Sequence, residues 1–324
     1  MAANFASLLR RGLRRAGGKL IALSERVPGA ADDARAPVEI LEREGDWVVC
    51  RAGDYVFRLD ATQGVDRAIL DDGVFEPHST AWVERLVGAG DVAVDVGANL
   101  GYYTVRLSRL VGPGGRVHAF EPSPRYRPRL VDHLRRNGCE ANVNVSEFAL
   151  SDREGEERLF GDAVSASMHW VHDARRPAVE ETIKLTTLDA YARAAGLARL
   201  DFVKVDIDGH EPRFLAGAAE TLRRFRPVLL MEFAQLNLLT AGSDVDQLAA
   251  QLDALGYTLY SERTGEPYTS RTTFLVDVMN CAHTANVICV HGPARAGVEE
   301  AAAVGRAGGA DEMERGRVAA GGRI

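Results

Sequence analysis

Between Asp91 and Thr104 the chain reads Asp91-Val-Ala-Val-Asp95-Val-Gly97-Ala-Asn99-Leu-Gly101-Tyr-Tyr-Thr104: an apolar run, a glycine-bearing turn and a helix start. A buried strand that feeds a helix through a tight turn belongs to a doubly wound α/β sheet. Such a sheet offers its ligand site at the carboxyl ends of the strands. Glu121 lies twenty residues beyond Gly101, at the end of a second strand-like segment, Arg116–Phe120. A carboxylate there can accept hydrogen bonds from both hydroxyls of a ribose.

The glycine spacing narrows the ligand. A dinucleotide site uses G-x-G-x-x-G, so that backbone amides can approach a pyrophosphate. Here the spacing is Gly97-x-x-x-Gly101, and Asn99 stands where the middle glycine should be. Asp95, inside the strand end, would repel a pyrophosphate but suit a cation. S-adenosylmethionine carries a ribose, an adenine, an ammonium and a sulfonium, and no phosphate, so it fits this acidic crook. Asp95, Gly97, Asn99 and Gly101 are expected around its methionine part and Glu121 at its ribose. Asp152 is a candidate for the adenine amino group, or a turn-stabilising residue before Gly155. The less specific reading is a glycine-rich connection with Asp95 as a helix cap.

Four blocks carry a resemblance: Val94-Asp-Val-Gly-Ala-Asn-Leu-Gly-Tyr-Tyr-Thr104, Phe120-Glu-Pro122, Ala149-Leu-Ser-Asp152 and Asp201-Phe-Val-Lys-Val-Asp-Ile-Asp-Gly-His-Glu211. In order and spacing they resemble the FkbM-type methyltransferases, over residues 70 to 292. The resemblance implies a class I methyltransferase fold, a Rossmann-like, mostly parallel seven-stranded sheet with one antiparallel strand and helices on both faces. It also implies methyl transfer, usually to a hydroxyl oxygen of a sugar, polyketide or other small metabolite. The family pattern often has Glu where this chain has Asp208, a change that keeps the charge and shortens the side chain.

An alcohol acceptor must lose its proton as the new bond forms, which calls for a base within hydrogen-bond reach. Asp206 ends the fourth strand beside the strand of Asp95, and the crevice opens between those ends. His210 follows a glycine, and an unperturbed imidazole titrates at about 6.5, near neutrality. Either is a candidate base; the alternative for His210 is a solvent-facing residue at a helix start. Glu232 closes the fifth strand as Asp206 closes the fourth, so the two carboxylates can share a pocket. Lys204 alternates with Asp206 and reads as its ion-pair partner. Asp206-x-Asp208-Gly opens like a calcium loop, but the later ligands of such a loop are missing; Asp206, Asp208 and Glu232 stay compatible with Mg²⁺, with a site free of metal as the preferred reading.

With 324 residues, the chain can form one large core plus appendages. Its net charge of −7 argues against a nucleic-acid partner, which would need a basic footprint. Cys50, Cys139, Cys281 and Cys289 show no metal spacing and read as reduced thiols of a cytoplasmic protein. Four units are expected. Residues 1–36 form a basic N-terminal segment, residues 37–70 a β-hairpin extension, residues 71–292 the methyltransferase domain and residues 293–324 a tail poor in core residues. Within residues 1–23, Phe5, Leu8, Leu9 and Leu13 share a helical face opposite Arg10, Arg11, Arg14 and Arg15, a pattern suited to peripheral contact with an anionic membrane. Residues 153–186 and 261–285 are long inserts, the kind of connection that walls a substrate pocket. His169 and Trp170 in the first are candidates for contacts to a sugar or other polar acceptor, with a satellite core as the alternative. Two rival functions stand beside methyl transfer: a nicotinamide-dependent oxidoreductase on a similar fold, and a non-catalytic cofactor-binding scaffold.

Overall fold

The computed structural model describes residues 36–161, 166–167, 179–280 and 284–292. The expected N-terminal helix, the C-terminal tail, Cys281, His169 and Trp170 therefore lie outside the described residues.

The chain opens on an antiparallel sheet of β1 (Val38–Glu44), β2 (Trp47–Ala52) and β3 (Tyr55–Asp60). The hairpin expected there has a third strand, since Val38–Glu44 also pairs with β2. Two helices follow, α1 (Gly64–Asp72) and α2 (Pro77–Leu86). The alternation then begins with β4 (Val92–Val96), α3 (Tyr102–Val111), β5 (Arg116–Phe120), α4 (Arg127–Arg136) and β6 (Val143–Ser146).

The first insert is not a loop. β7 (Phe148–Leu150), β8 (Gly155–Gly161), β9 (Ala166–Ser167) and β10 (Val179–Thr186) form a second sheet in the order β7-β10-β8-β9. The third strand thus divides after Ser146, and its continuation pairs with β10 instead of β5. The chain continues through α5 (Leu188–Ala194), β11 (Phe202–Val205), α6 (Glu211–Gly217), α7 (Ala219–Phe225), β12 (Val228–Phe233), α8 (Gln235–Thr240) and α9 (Val245–Ala254). It closes with β13 (Tyr257–Ser261), α10 (Arg271–Asn280) and β14 (Ala285–His291). The cap of α9 is Asp244, which accepts the Gln247 N–H at 2.8 Å.

The main sheet has the order β13-β14-β12-β11-β4-β5-β6, and β14 runs antiparallel to both its neighbours. That is the class I methyltransferase arrangement, with its single reversed strand. Both faces are covered, so the strands read as near-continuous apolar runs. Val94, Val203, Leu229 and Met231 pack beneath Phe214 and Leu248. Ala93, Phe202, Leu230 and Ile288 face the N-terminal elements through Trp82, Val83 and Leu59. By strand alternation Asp95 and Lys204 share that second face, and their Cα atoms are register partners. Two ionisable groups are thereby placed beneath the ligand crevice. Among the described residues no helix is long and apolar enough to cross a membrane.

Candidate active site

A cleft of about 640 Å³ opens over the carboxyl ends of β4, β5 and β11. Gly97, Asn99, Glu121, Tyr126, Asp206 and Asp208 contribute to its wall. Gly97 has φ of +80°, and a Cβ there would lie 1.9 Å from the Asp206 carbonyl oxygen. Any side chain would separate the first turn from the end of β11, so glycine is required on steric grounds. Asn99 also adopts a left-handed backbone, which asparagine tolerates better than most residues.

Glu121 is 6 % exposed, and its two oxygens accept the Asn99 N–H at 2.7 Å and the Ser123 N–H at 2.9 Å. The turn after β4 and the turn after β5 are joined through this carboxylate. Burial raises its pKa to about 7, against the lowering effect of the two amides. Each oxygen keeps a second lone pair for a ribose hydroxyl.

The remaining expected residues lie elsewhere. Asp95 is 2 % exposed and turns beneath the crevice, where it accepts the Thr104 hydroxyl at 2.5 Å. Burial raises its pKa to about 6. Gly101 starts α3, and a Cβ there would meet Leu130 Cδ1 at 2.4 Å, so it serves the packing of α3 on α4. Asp152 is exposed, beside Ser151 and Arg153, because β7 has left for the second sheet. Its neighbours Ala149 and Leu150 line the cleft instead.

Around Asp206 the carboxylates gather. Its Oδ2 pairs with Lys204 Nζ at 3.0 Å, and Lys204 is 1 % exposed. Burial acts to lower the lysine pKa, but Asp206, Glu76 and Glu232 outweigh it and the net direction is upward. Lys204 therefore stays charged. Glu232 is buried, and its Oε2 has no hydrogen-bond partner among the described residues. Burial, then repulsion from Asp206, Asp208 and Glu211, pushes its pKa well above its ordinary value. Glu76 accepts the Tyr103 hydroxyl at 2.7 Å from a left-handed backbone of φ +45°. Among the described residues no three His, Cys, Asp or Glu side chains are grouped to hold a metal.

His210 is not at the active face. It is 1 % exposed, and its Nε2 lies 3.0 Å from Ser151 Oγ, so the ring joins the start of α6 to the end of β7. Sequence reasoning missed Tyr126 and Leu159 in the cleft wall. Tyr126 could have been found as the aromatic just before α4, at the ligand end of its strand. Leu159 had no signal, since β8 reaches the cleft only through the second sheet.

None of the described residues lining the cleft is Lys, Arg or His, while Glu121, Asp206 and Asp208 are acidic. That lining fits a cationic, phosphate-free adenosine donor and disfavours a pyrophosphate, as the strand-end carboxylates suggested. The sequence pattern of the methyltransferase FkbM domain matches residues 95–259, from the first strand-end carboxylate to β13. The chain belongs to the FkbM methyltransferase family. Its enzymes are S-adenosylmethionine-dependent methyltransferases, so the methyl donor is named and the nicotinamide alternative falls away.

Among relatives, the chain is similar to the 2-O-methyltransferase NoeI of Sinorhizobium fredii, with 26 % identity over 175 residues, 48 % of this chain and 70 % of that protein. It is also similar to the 31-O-demethyl-FK506 methyltransferase FkbM of Streptomyces tacrolimicus, with 29 % identity over 162 residues, covering 40 % of this chain and only 60 % of that protein. A crystal structure of a methyltransferase FkbM from Methylobacillus flagellatus superposes with a TM-score of 0.43 and 18 % identity, over 67 % of this chain and 48 % of the other.

Proposed function

We propose that the protein transfers the methyl group to a hydroxyl oxygen of a neutral small molecule or glycan, with Asp206 as the residue that receives the acceptor. The observation that carries this is the position of Asp206. Its carboxylate lines the donor cleft, keeps 30 % side-chain exposure and is ion-paired to a buried lysine. A carboxylate so placed can orient a hydroxyl and take up its proton as the oxygen forms its new bond. Two relatives whose names specify O-methylation support the same chemistry.

When bound, S-adenosylmethionine supplies an electrophilic methyl on a sulfonium. Gly97, Asn99 and Glu121 would hold it, the glutamate at the ribose and the two turn residues at the methionine part. Lys204 keeps Asp206 fixed at the cleft edge. Glu232 lies buried beside this pair, its pKa driven upward by burial and by the neighbouring carboxylates. The role of His210 is to position the start of α6, since its ring is held against Ser151. The second sheet, β7 to β10, is the element assigned to the acceptor side, because Leu159 reaches the cleft.

The domain plan follows. Residues 71–292 are the catalytic unit, and residues 37–70 brace it through β3, where His133 of α4 and Asn137 just after it accept the Arg58 and Val56 N–H groups. The cysteines carry the cytoplasmic reading, and the basic N-terminal sequence carries that of peripheral membrane contact through residues 1–23. The test is incubation of the full chain with S-adenosylmethionine and a panel of sugars, polyketides and amines, read by mass spectrometry. Methylated alcohols lost in Asp206→Asn are expected. Methylation confined to amines would overturn the acceptor assignment, and donor binding without any product would favour the scaffold alternative.

A further inference from the structure

The Lys204 ammonium feels carboxylates from several elements: Asp206 after its own strand, Asp95 on β4, Glu232 on β12, Glu262 after β13 and Glu76 before α2. The first four belong to the main sheet or its exits, whereas Glu76 is brought in from outside it. Its backbone has φ of +45°, which a non-glycine residue adopts at a cost and keeps only where its surroundings over-determine it. Those surroundings are visible. Pro77 opens α2 directly after it, and α2 is fastened to the exit of β13. There Trp82 Nε1 donates to the Glu262 carbonyl oxygen at 2.6 Å, and the Ser79 hydroxyl donates to the Glu262 carboxylate. Glu76 precedes a helix without capping it; its Oε2 accepts the Tyr103 hydroxyl at 2.7 Å instead. Tyr103 is 7 % exposed, and Lys204 Nζ lies 5.1 Å from the centre of its ring. The same ammonium donates to Asp206 Oδ2 at 3.0 Å.

We propose that Glu76 is a positioning residue for methyl transfer: it fixes the Tyr103 ring, the ring seats the Lys204 ammonium, and the ammonium holds the Asp206 carboxylate at the cleft. Resting on the reading of Asp206 as the residue that receives the acceptor, this role makes the start of α2 part of the transfer apparatus. Glu76 acts in two ways. Its hydrogen bond sets the tilt of an aromatic face against which a cation is held. Its charge draws on the ammonium that Asp206 also uses, so the two carboxylates share one counter-charge.

The experiment uses the full chain as Glu76→Gln and Tyr103→Phe, with Asp206→Asn beside them. The ammonium resonances of isotope-labelled lysine are recorded, and that of Lys204 is identified by its loss in Lys204→Met. Tyr103→Phe is expected to shift this resonance and to speed its proton exchange roughly 10-fold. Turnover is measured with the best acceptor from the panel above at saturating donor. Tyr103→Phe should lower kcat roughly 10-fold and leave the KM for S-adenosylmethionine unchanged. Glu76→Gln can still accept the tyrosine hydroxyl but carries no charge, leaving the whole ammonium to Asp206. The acidic limb of its kcat–pH profile should therefore move to lower pH, by about 0.5. A purely structural Glu76 would lower stability and leave that limb where it is. An unmoved Lys204 resonance in both variants, or an unmoved limb in Glu76→Gln, overturns the proposal. Wild-type turnover in Asp206→Asn overturns the reading of Asp206 and the proposal with it. Turnover lost in Asp206→Asn beside wild-type behaviour in the other two overturns the role of Glu76 alone. If the panel yields no product, the Lys204 resonance decides by itself. Should Tyr103→Phe fail to fold, Glu76→Gly takes its place, because glycine adopts the turn without strain and removes the same hydrogen bond.

Discussion

Lys204 Nζ sits 3.0 Å from Asp206 Oδ2, the lysine almost wholly buried and the aspartate at the edge of the donor cleft. One ammonium therefore balances the charge of the Asp206 carboxylate and of its neighbour Glu76. Lys204→Met should expose that balance. A fully buried pair broken on one side costs about 3–5 kcal/mol. Because Asp206 keeps 30 % exposure, a loss of about 2–3 kcal/mol is expected, read by chemical denaturation. A neutral result would mean that the carboxylates do not depend on the lysine.

Asp206→Asn keeps the shape and removes the proton acceptor. Turnover is expected to fall by roughly 10²–10⁴-fold, while the dissociation constant for S-adenosylmethionine changes by a few fold only. Single-turnover kinetics beside calorimetry separates the two.

Gly97→Ala places a methyl group 1.9 Å from a backbone oxygen at a φ of +80°. Neither can relax without parting β4 from β11. More than about 2 kcal/mol of stability should be lost, together with measurable donor binding by calorimetry.

Glu121 binds the donor best when ionised, since the donor is cationic. With a pKa raised to about 7 by burial, it is largely protonated at pH 6 and ionised at pH 8. Donor affinity should therefore increase with pH through about 7, and Glu121→Gln should lower the affinity and flatten the profile. A pH-independent affinity in the wild type would remove the ionised carboxylate from the site.

The protein without donor should also lose stability as pH rises from about 6.5 to 8. Glu121 and Glu262 have pKa values raised to about 7 and Glu211 to about 8, chiefly by burial. In that window the folded chain holds protons that the unfolded chain has released, so deprotonation favours unfolding. The opposing histidines act lower. His118, with a pKa depressed to about 4, and His133, also depressed, add stability only as pH rises to their ordinary value of 6.5. Melting temperatures across pH, with Glu211→Gln flattening the alkaline side, provide the measurement.

The periodic parts of this fold were legible in the sequence because their causes are local. The apolar runs at β4, β5, β11 and β12 and the helical stripes between them follow from burial on both faces of a parallel sheet. Glycine at Gly97, asparagine at Asn99 and a carboxylate at Glu121 were readable for the same reason. Turn geometry and charge at a strand end are set within a few residues, and all three line the cleft.

Tertiary structure decided what depends on distant partners. His210 had the right chemistry and position along the chain, yet it is enclosed against Ser151, fifty-nine residues earlier. Asp95 likewise has a charge suited to the donor, but strand alternation turns it toward Thr104 and the face of Lys204. The departure of β7 into a second sheet drew Asp152 away and brought Leu159 in. Spacing along a chain determines which residues reach the ends of the strands. Which of them face the ligand depends on side-chain alternation and on whatever segment packs opposite, and only the folded chain brings those together.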